Sequence, residues 1–428
     1  MTAVKITPTK LSGVVQVPPS KSLAHRAIIC ASLAKGISRI DNIEYSKDIQ
    51  ATIKAMQSLG TKIEKYDDYL IIDGTTTYTK QNSEIDCEES GSTLRFMVPI
   101  AIVEENKAHF VGRGNLGKRP LNTFYEIFER QNIGYLYKED ILDLYVIGKL
   151  KPDHYKVPGN ISSQFITGLL FALPLLDGDS IIEITSPLES KGYIDLTLQM
   201  LNQYGIKIVN NDYKSFIVMG KQEYQAHDYR VEADFSQAAF YLVAGAIGND
   251  VVLTDLNLDS LQGDKATLEF LEAMGAKISV VSDGIKVTGE NLAATIVDAS
   301  QCPDVIPVVS VALALALAQG KSDVINAKRL RIKECDRIIA TRSQLNELGG
   351  TVTELPDGMT IRGVNEFTGG NCSSFADHRI AMMLAIAATR SSQPVVIDNM
   401  ECVEKSYPSF WEDYQSLGGI IDVIDVEK

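Results

Sequence analysis

The stretch Ala273-Met274-Gly275, residues 273–275, ends a segment of helical periodicity, and Lys-Ile-Ser-Val-Val, residues 277–281, follows one position later. Glycine tolerates the left-handed backbone conformation that closes many helices, so Gly275 marks a helix end. The alternation of polar and apolar side chains after it is typical of a half-buried strand. The stretch therefore predicts a helix that turns directly into a strand.

The same pattern, an apolar residue followed by glycine and an alternating strand, occurs six times along the 428 residues. The spacing is about 70 residues throughout, which is the sign of a repeated structural unit. Upstream of each glycine, a polar cluster opens a helix rich in small apolar residues. We interpret the chain as an α/β protein of six units, each a strand, a helix, a strand, a helix and a hairpin. The six glycines are Gly60, Gly134, Gly205, Gly275, Gly349 and Gly418.

Six units divide naturally into two domains of three. We expect one domain to span residues 14–230 and the other to combine residues 1–13 with 231–428. The chain would cross between them near residues 12–16 and 229–232, as a double-crossover hinge. The sixth unit stops after one strand, so we expect Val-Lys-Ile, residues 4–6, to supply its missing partner and hold both chain ends in one domain.

The charge balance narrows the classes of partner. The chain has 41 Lys and Arg residues against 55 Asp and Glu, a formal net charge of -14. Such a field repels nucleic acids and anionic membrane surfaces, so we expect neither as a partner. Hydrophobic residues make up 45% of the chain, a content typical of a folded globular protein rather than a disordered one.

Cysteine spacing and apolar runs bear on the compartment. The six cysteines include no Cys-x-x-Cys pair, so we expect no zinc or redox motif and interpret them as reduced thiols of a cytoplasmic protein. The first twenty residues lack the apolar run of a signal peptide. The most apolar stretch, residues 305–318, is too short to span a bilayer, and we interpret it as a buried helix.

Cations gather where the predicted helices begin. The helix macrodipole disfavours a cation at an N-terminus unless an anion lies between the cation and the helix end. In an acidic protein this arrangement predicts local sites for small phosphates and carboxylates, to which arginine offers bidentate geometry. The cations at helix starts are Lys21, Arg26, Arg95, Lys118, Arg119, Lys191, Lys333, Arg337, Arg379 and Lys405.

The most distinctive helix start is Pro-Pro-Ser-Lys-Ser-Leu-Ala-His-Arg-Ala, residues 18–27, which lacks the Gly-x-x-x-x-Gly spacing of a nucleotide-binding loop. With the motifs that follow it in order, this segment resembles the EPSP synthase family of enolpyruvyltransferases, over essentially the whole chain. The motifs are Ser20-Lys21-Ser22 with His25-Arg26-Ala27; Ser90-Gly91-Ser92-Thr93 with Arg95; Lys118-Arg119-Pro120; Ser162-Ser163-Gln164; Ser190-Lys191 with Tyr193; Asp234 with Ser236; Gln262-Gly263-Asp264; Pro303-Asp304; Arg331 with Lys333-Glu334 and Asp336-Arg337; Asp377-His378-Arg379; and Lys405 with Pro408.

The resemblance implies an inside-out α/β barrel of two domains, three repeats each, that closes on its substrates at a hinge. It implies transfer of the enolpyruvyl group of phosphoenolpyruvate to the 5-hydroxyl of 3-phosphoshikimate, with release of phosphate. These two small molecules would be the partners of the protein, with no cofactor and no metal. We expect a monomer.

The resemblance also implies roles for residues at matched positions. Asp304 would be the base near the hydroxyl, Glu334 the carboxylate near the enolpyruvyl methylene, and Lys21 a general acid/base. The residues expected to bind 3-phosphoshikimate are Lys21, Ser22, Arg26, Ser162, Ser163, Gln164, Ser190, Tyr193, Asp304 and Lys333. Those expected to bind phosphoenolpyruvate are Lys21, Gly91, Arg119, Gln164, Arg337, Arg379 and Lys405.

Two other functions would explain part of the sequence pattern. A UDP-N-acetylglucosamine enolpyruvyltransferase has the same fold, but it typically shows a Lys-Asn pair at the first helix and a cysteine in the loop before its Arg-Pro. Here the pair is Lys21-Ser22, and residues 112–120 hold no cysteine. A non-catalytic repeat scaffold would explain the period but not the cations at helix starts.

Overall fold

The computed structural model describes residues 2–138, 140–281, 284–316 and 320–425. The strands are β1 (Thr2–Thr7), β2 (Ser12–Gln16), β3 (Ile37–Asp41), β4 (Lys62–Lys65), β5 (Tyr69–Asp73), β6 (Glu84–Asp86), β7 (Asn106–Val111), β8 (Gly134–Tyr137), β9 (Asp143–Gly148), β10 (His154–Val157), β11 (Ser180–Ile184), β12 (Ile208–Asn211), β13 (Ser215–Val218), β14 (Tyr229–Arg230), β15 (Asp250–Thr254), β16 (Lys277–Val281), β17 (Gly284–Thr288), β18 (Ile296–Asp298), β19 (Lys321–Ile325), β20 (Thr351–Leu355), β21 (Gly358–Arg362), β22 (Gly370–Cys372), β23 (Val395–Ile397) and β24 (Ile420–Asp425).

The helices follow the same repeat. They are α1 (Lys21–Leu33), α2 (Lys47–Ser58), α3 (Gly91–Ile100), α4 (Asn122–Gln131), α5 (Ser163–Ala172), α6 (Lys191–Gln203), α7 (Phe235–Ala246), α8 (Ala266–Ala273), α9 (Ile306–Ala314), α10 (Arg337–Glu347), α11 (His378–Ala388) and α12 (Phe410–Ser416). Short 3-10 helices lie at Gly74–Thr76, Leu116–Lys118, Leu173–Leu175, Gly263–Lys265, Pro303–Val305, Lys328–Ile332 and Met400–Lys405.

The described strands form six four-stranded sheets with a common order. In the third repeat, for example, β10 pairs parallel with β11, which pairs antiparallel with β13, and β13 pairs antiparallel with β12. Each sheet buries alternate side chains, whereas the first helix of a repeat is buried on all sides, as in α7. Helices inside and sheets outside confirm the predicted α/β fold of repeated units.

The chain folds into two compact units, each with its own apolar core. The central unit runs from Lys21 to Val231, and the terminal unit combines the residues up to Ser20 with those from Glu232 onward. The first boundary lies later than the expected one after residue 13, because β2 pairs parallel with β15 and keeps residues 12–16 in the terminal unit. In the central unit, β14 pairs parallel with β3. The strands that precede the two chain crossings, β2 and β14, thus each pair within the unit that the chain is about to leave.

The two chain ends meet in one sheet. Strand β1 pairs antiparallel with β24, with Thr2 opposite Asp425 and Thr7 opposite Ile420. Strand β1 occupies the place that the second hairpin strand takes in the other repeats, since the sheet order is β22-β23-β1-β24. The prediction that the N-terminal segment completes the sixth unit is confirmed.

Five of the six repeat glycines close helices as predicted, with positive φ angles such as +82° at Gly205 and +90° at Gly275. The prediction is wrong for Gly134, which is the first residue of β8. Asn132, with φ 56°, takes the left-handed position after α4 instead. Asparagine is the side chain that best substitutes for glycine in this conformation, so one repeat ends its helix two residues earlier.

The apolar stretch at residues 305–318 forms the buried helix α9 over Ile306–Ala314, preceded by a 3-10 turn that includes Val305. Residues 317 and 318 of the stretch lie outside the described part of the chain. Across the ranges that the structure describes, no helix has the length and apolar character needed to cross a bilayer.

Candidate active-site clusters

In the central unit, Lys21 joins the starts of two helices. It is the first residue of α1, and its Nζ lies 2.8 Å from Oδ2 of Asp48 in the first turn of α2. Asp48 is favourably placed there, because a carboxylate at a helix N-terminus interacts well with the macrodipole. The Lys21 side chain remains 17% exposed, so its ammonium group can also face a ligand.

Arg26, one turn into α1, is buried among neutral acceptors. Its Nε donates to Oγ1 of Thr197 at 2.9 Å, and its two Nη atoms donate to the carbonyls of Ser22 at 2.6 Å and Tyr193 at 2.9 Å. Its guanidinium also lies 5.9 Å from the centre of the Tyr193 ring. Burial lowers the pKa of Arg26 to about 10. The structure thus brings Ser22, Arg26 and Tyr193 together, as predicted for one ligand.

Two arginines converge on the turn at the start of α3. A side chain at Gly91 would place its Cβ 2.6 Å from Nη1 of Arg119 and 3.2 Å from Nη1 of Arg95. A Cβ at this position would therefore push the guanidinium group of Arg119 away from the backbone. Arg95 also donates to Oε1 of Gln164 at 2.8 Å, and Gln164 donates to Oγ of Ser92 at 2.9 Å. The predicted residues Gly91, Arg119 and Gln164 therefore share one polar cluster.

The predicted serines lie at neighbouring helix starts. Ser162 caps α5 by accepting a hydrogen bond from the backbone N–H of Gln164 at 3.3 Å. Ser163 is the first residue of that helix and is buried. Ser190 precedes α6 in the left-handed conformation, with φ 55°. A non-glycine residue held in this region is uncommon and points to a constrained site.

A buried hydrogen-bond chain that the sequence did not predict links three helices. Thr93 donates to Oγ of Ser90 at 2.8 Å, so the 2.7 Å contact between Thr52 and Thr93 must be donated by Thr52. Thr52 in turn accepts from Nδ1 of His25 at 2.7 Å. Burial lowers the pKa of His25 to about 3, which keeps the imidazole neutral. His25 therefore orders the start of α3 rather than carrying charge.

In the terminal unit, Arg337 is the centre of an ion network. Its Nη1 lies 2.8 Å from Oδ1 of Asp304, its Nη2 lies 2.8 Å from Oε2 of Glu334, and its Nε lies 2.8 Å from Oδ2 of Asp377. A second bond, from Nη2 to Oδ1 of Asp377, makes that contact bidentate. Burial lowers the pKa of Arg337, but the carboxylates outweigh it and hold the pKa well above its ordinary value. Arg337 thus fixes the two predicted catalytic carboxylates in one place.

Asp304 faces several cations. Lys333 lies 3.0 Å from its Oδ1, beside the contact with Arg337. Burial raises the pKa of Asp304, but Lys333, Arg337 and Arg379 outweigh burial and hold the pKa well below its ordinary value. Burial lowers the pKa of Lys333, which makes its proton easier to release. An ionised carboxylate beside a buried ammonium group is an arrangement suited to proton transfer.

Arg379 lies at the start of α11, capped by Asp377. Its Nη1 donates to the backbone carbonyl of Ser236 at 2.8 Å, and its Nε is buried with no hydrogen-bond partner among the described residues. An arginine N–H group left unsatisfied in a buried position is costly unless a ligand completes it. Lys405 is buried at the end of the 3-10 helix Met400–Lys405. Both predicted cations thus lie in the terminal unit with Asp304, Glu334 and Arg337.

The structure adds residues that the predicted set omitted: Asp48, Ser92, Arg95, Asp264 and Asp377. One signal could have found Asp48, because the polar residues at the first and second helix starts of a repeat contact each other. The contacts Lys21–Asp48 and Asp304–Lys333 both follow this rule.

Within the described residues, no group of three or more His, Cys, Asp or Glu side chains is placed to hold a metal ion.

The chain is similar to known proteins over nearly its whole length. The family model described as EPSP synthase (3-phosphoshikimate 1-carboxyvinyltransferase) matches residues 6–414. A 3-phosphoshikimate 1-carboxyvinyltransferase of Clostridium perfringens (strain ATCC 13124) is 55% identical over 423 residues, which cover 98% of this chain and 99% of that protein. The enzyme of the same name from Clostridioides difficile (strain 630) is 54% identical over 439 residues, covering 100% of both chains.

A solved structure extends the similarity to three dimensions. The EPSP synthase of Acinetobacter baumannii superposes with a TM-score of 0.82 at 25% sequence identity, covering 99% of this chain and 100% of that one. The match over nearly the whole length, in sequence and in fold, agrees with the resemblance found in the motifs. The chain belongs to the EPSP synthase (3-phosphoshikimate 1-carboxyvinyltransferase) family.

Proposed function

We propose that the protein transfers the enolpyruvyl group of phosphoenolpyruvate to the 5-hydroxyl of 3-phosphoshikimate, producing 5-enolpyruvylshikimate 3-phosphate and phosphate. The observation that carries the proposal is the identity of about 55% to enzymes of that name over 98% of the chain. The polar residues described in the central unit and in the terminal unit supply the residue types that this chemistry needs. These are cations for two anionic substrates and carboxylates for proton transfer.

The reaction is an addition followed by an elimination. The 5-hydroxyl oxygen bonds to C2 of phosphoenolpyruvate and loses its proton, while C3 takes up a proton. The C2–O bond to the phosphate group then breaks, C3 gives up a proton, and phosphate leaves. The net result moves the hydroxyl hydrogen to the released phosphate.

We assign the proton transfers to residues of both units. Asp304 accepts the hydroxyl proton, because Lys333 at 3.0 Å and Arg337 at 2.8 Å from its Oδ1 keep it ionised. Glu334, held at 2.8 Å by Arg337, exchanges the proton at C3. Lys21 acts as general acid/base and contacts the phosphate. Arg119, Arg379 and Lys405 stabilise negative charge as the phosphate leaves.

Binding of 3-phosphoshikimate is assigned mainly to the central unit. Ser162, Ser163 and Ser190 at helix starts would hold its phosphate, since helix N-termini favour anions. Ser22 and Arg26 would orient the ring and its carboxylate, with Tyr193 close to both. Gln164, fixed by Arg95 and Ser92, would contact both substrates.

The test is a phosphate-release assay with each substrate alone and with both. We expect phosphate only when 3-phosphoshikimate and phosphoenolpyruvate are both present. Release with UDP-N-acetylglucosamine in place of 3-phosphoshikimate would transfer the proposal to the other enolpyruvyltransferase, and no release with either would leave a repeat scaffold. Mass spectrometry of the product identifies the acceptor hydroxyl.

The proposal includes a monomeric enzyme that works in the cytoplasm and has a hinge at the two chain crossings. Elution volume with multi-angle scattering tests the first point, and cell fractionation the second. Small-angle scattering with and without 3-phosphoshikimate tests the hinge, since a hinge that closes on its ligand should make the protein more compact. An unchanged radius of gyration would argue against the hinge.

A further inference from the structure

Asp264 is a buried carboxylate to which the proposed mechanism gives no role. It lies in the 3-10 helix Gly263–Lys265, at the second helix start of the fourth repeat, and is 3% exposed. An ionisable group at this depth is rare unless it is paired or functional. Its position in the repeat corresponds to that of Asp48, whose carboxylate contacts Lys21 in the first repeat.

Asp264 connects to Arg379 through one residue. Its Oδ2 accepts a hydrogen bond from the Oγ of Ser236, the second residue of α7. The backbone carbonyl of the same serine accepts the 2.8 Å bond from Nη1 of Arg379. Ser236 is fixed from its other side as well, because its N–H donates to Oδ1 of Asp234 at 2.7 Å. Asp264 therefore holds the hydroxyl group of Ser236, and Arg379 binds the backbone carbonyl of the same serine.

Charges around Asp264 act on its ionisation. Burial, and after it the carboxylate of Asp304, raises the pKa of Asp264 to about 6, against the opposing effects of Arg379 and of the bond from Ser236. Asp234 and the Cys302 thiol, whose own pKa is raised by burial, also face it within the described part of the chain. Asp304, next to Lys333 and Arg337, stays ionised under the same conditions. The pKa values of the two carboxyl groups thus differ. Asp304 is held in its charged form, whereas Asp264 can take up a proton near neutrality.

We propose that Asp264 is a positioning residue for Arg379, acting through Ser236, and that its protonation sets the charge balance around that guanidinium when an anion binds. The proposal rests on the proposed function, because it takes Arg379 to be a contact of phosphoenolpyruvate. Asp264 fixes Ser236 by its hydroxyl, and Ser236 fixes the guanidinium by its carbonyl. Ionised Asp264 competes with an incoming anion for Arg379, whereas neutral Asp264 leaves the positive charge to the ligand.

Two variants separate the two parts of this role. Asp264→Asn keeps an acceptor for Ser236 but removes the charge, so it imitates the protonated carboxyl. We expect the ratio of kcat/KM for phosphoenolpyruvate, Asp264→Asn over wild type, to rise at least about threefold as the pH increases through about 6. Substrate ionisation cancels in this ratio. A ratio that does not change with pH overturns the electrostatic part.

Ser236→Ala removes the hydroxyl that Asp264 holds. We expect KM for phosphoenolpyruvate to rise about fivefold, with kcat and the KM for 3-phosphoshikimate within about twofold of wild type. Equal losses for both substrates, or a drop in kcat alone, would overturn the positioning role. Asp323→Asn, a carboxylate-to-amide change in β19 of the same unit, is the control and should change neither KM nor the pH profile.

Wild-type protein assayed in parallel separates the two ways of failing. Wild type that releases no phosphate from the two substrates refutes the proposed function itself. Active wild type with a flat Asp264→Asn ratio and an unchanged KM in Ser236→Ala refutes only the role of Asp264. Thermal unfolding of each variant shows whether it is folded, and Ser236→Ala still tests the proposal if Asp264→Asn is not.

Discussion

Arg26 in the central unit and Arg337 in the terminal unit are both buried arginines near helix starts, 3% and 1% exposed, but their surroundings differ in charge. Arg26 donates to a hydroxyl and two carbonyls. Arg337 donates to the carboxylates of Asp304, Glu334 and Asp377. Burial lowers the pKa of Arg26 to about 10, whereas the three carboxylates hold the pKa of Arg337 above its ordinary value.

This difference in surrounding charge gives Arg26 and Arg337 different roles. A buried cation among neutral dipoles keeps its net charge in a medium of low dielectric constant, so it attracts an anionic ligand strongly. A cation matched by three carboxylates has its charge already balanced, and it serves instead to hold those carboxylates in position. Arg26 is therefore suited to attract an anion, and Arg337 to hold carboxylates in position.

The largest expected effect is on stability at Arg337. Arg337→Met leaves the buried Asp377 and the half-buried Asp304 and Glu334 without their shared cation, so the free energy of unfolding should fall by about 3–5 kcal/mol. Urea unfolding followed by circular dichroism measures it. The control is Arg342→Met on the same helix as Arg337. Arg342 is a partly exposed cation 3.6 Å from Glu354 of β20, and its loss should lower the free energy of unfolding by less than about 1 kcal/mol. Equal losses in the two variants would break the comparison.

Arg26→Met should show the opposite balance of stability and binding. Because Arg26 is buried without a carboxylate, its removal should change the free energy of unfolding by no more than about 2 kcal/mol. The KM for 3-phosphoshikimate should rise about 10- to 100-fold, since the variant would lose the charge-assisted hydrogen bond that we propose between Arg26 and this substrate. Steady-state kinetics with each substrate varied in turn measures the effect. A rise in KM for phosphoenolpyruvate alone would contradict the assignment of Arg26.

The response to acid should also distinguish the two clusters. The pKa of Asp304 is lower in the folded chain than its ordinary value of 3.8, so its ionised form stabilises the fold above about pH 4. This contribution is lost as the pH falls below that value. Between about pH 4 and pH 2, wild type should lose up to about 1.4 kcal/mol per pH unit more than Asp304→Asn. Parallel unfolding curves over this range would show that the cations do not act on Asp304.

The smallest effect is expected at a neutral partner of Arg26. Thr197→Val removes the hydroxyl that accepts from Nε of Arg26 at 2.9 Å, at nearly constant side-chain volume. The free energy of unfolding should fall by about 1–2 kcal/mol, because the same hydroxyl also donates to the carbonyl of Tyr193 at 2.8 Å and lies 3.0 Å from Oγ1 of Thr167. Urea unfolding at neutral pH measures it. A loss as large as that of Arg337→Met would mean that the neutral partners of Arg26 matter as much as the carboxylates around Arg337.

Much of the candidate site was predictable because its residues lie at helix starts, and helix starts leave local signals. Asp304, Glu334 and Arg337 were expected to serve one reaction, and the structure brings them together. The contact between Asp264 and Ser236 was not predicted, since nothing near Asp264 in the sequence indicates it. The chain from His25 to Ser90 was not predicted for the same reason, because it joins residues of α1, α2 and α3.

The sequence by itself determined the period, the six α/β units and the completion of the last sheet by β1, because each depends on local alternation, glycine positions and counting. Only the tertiary structure decided that β2 and β14 pair within opposite units, that Asn132 replaces Gly134 at a helix end, and which buried arginine meets carboxylates. These outcomes depend on contacts between residues far apart in the chain. Local sequence specifies helix and strand formation, whereas the balance of a buried charge is set by whatever the fold packs around it.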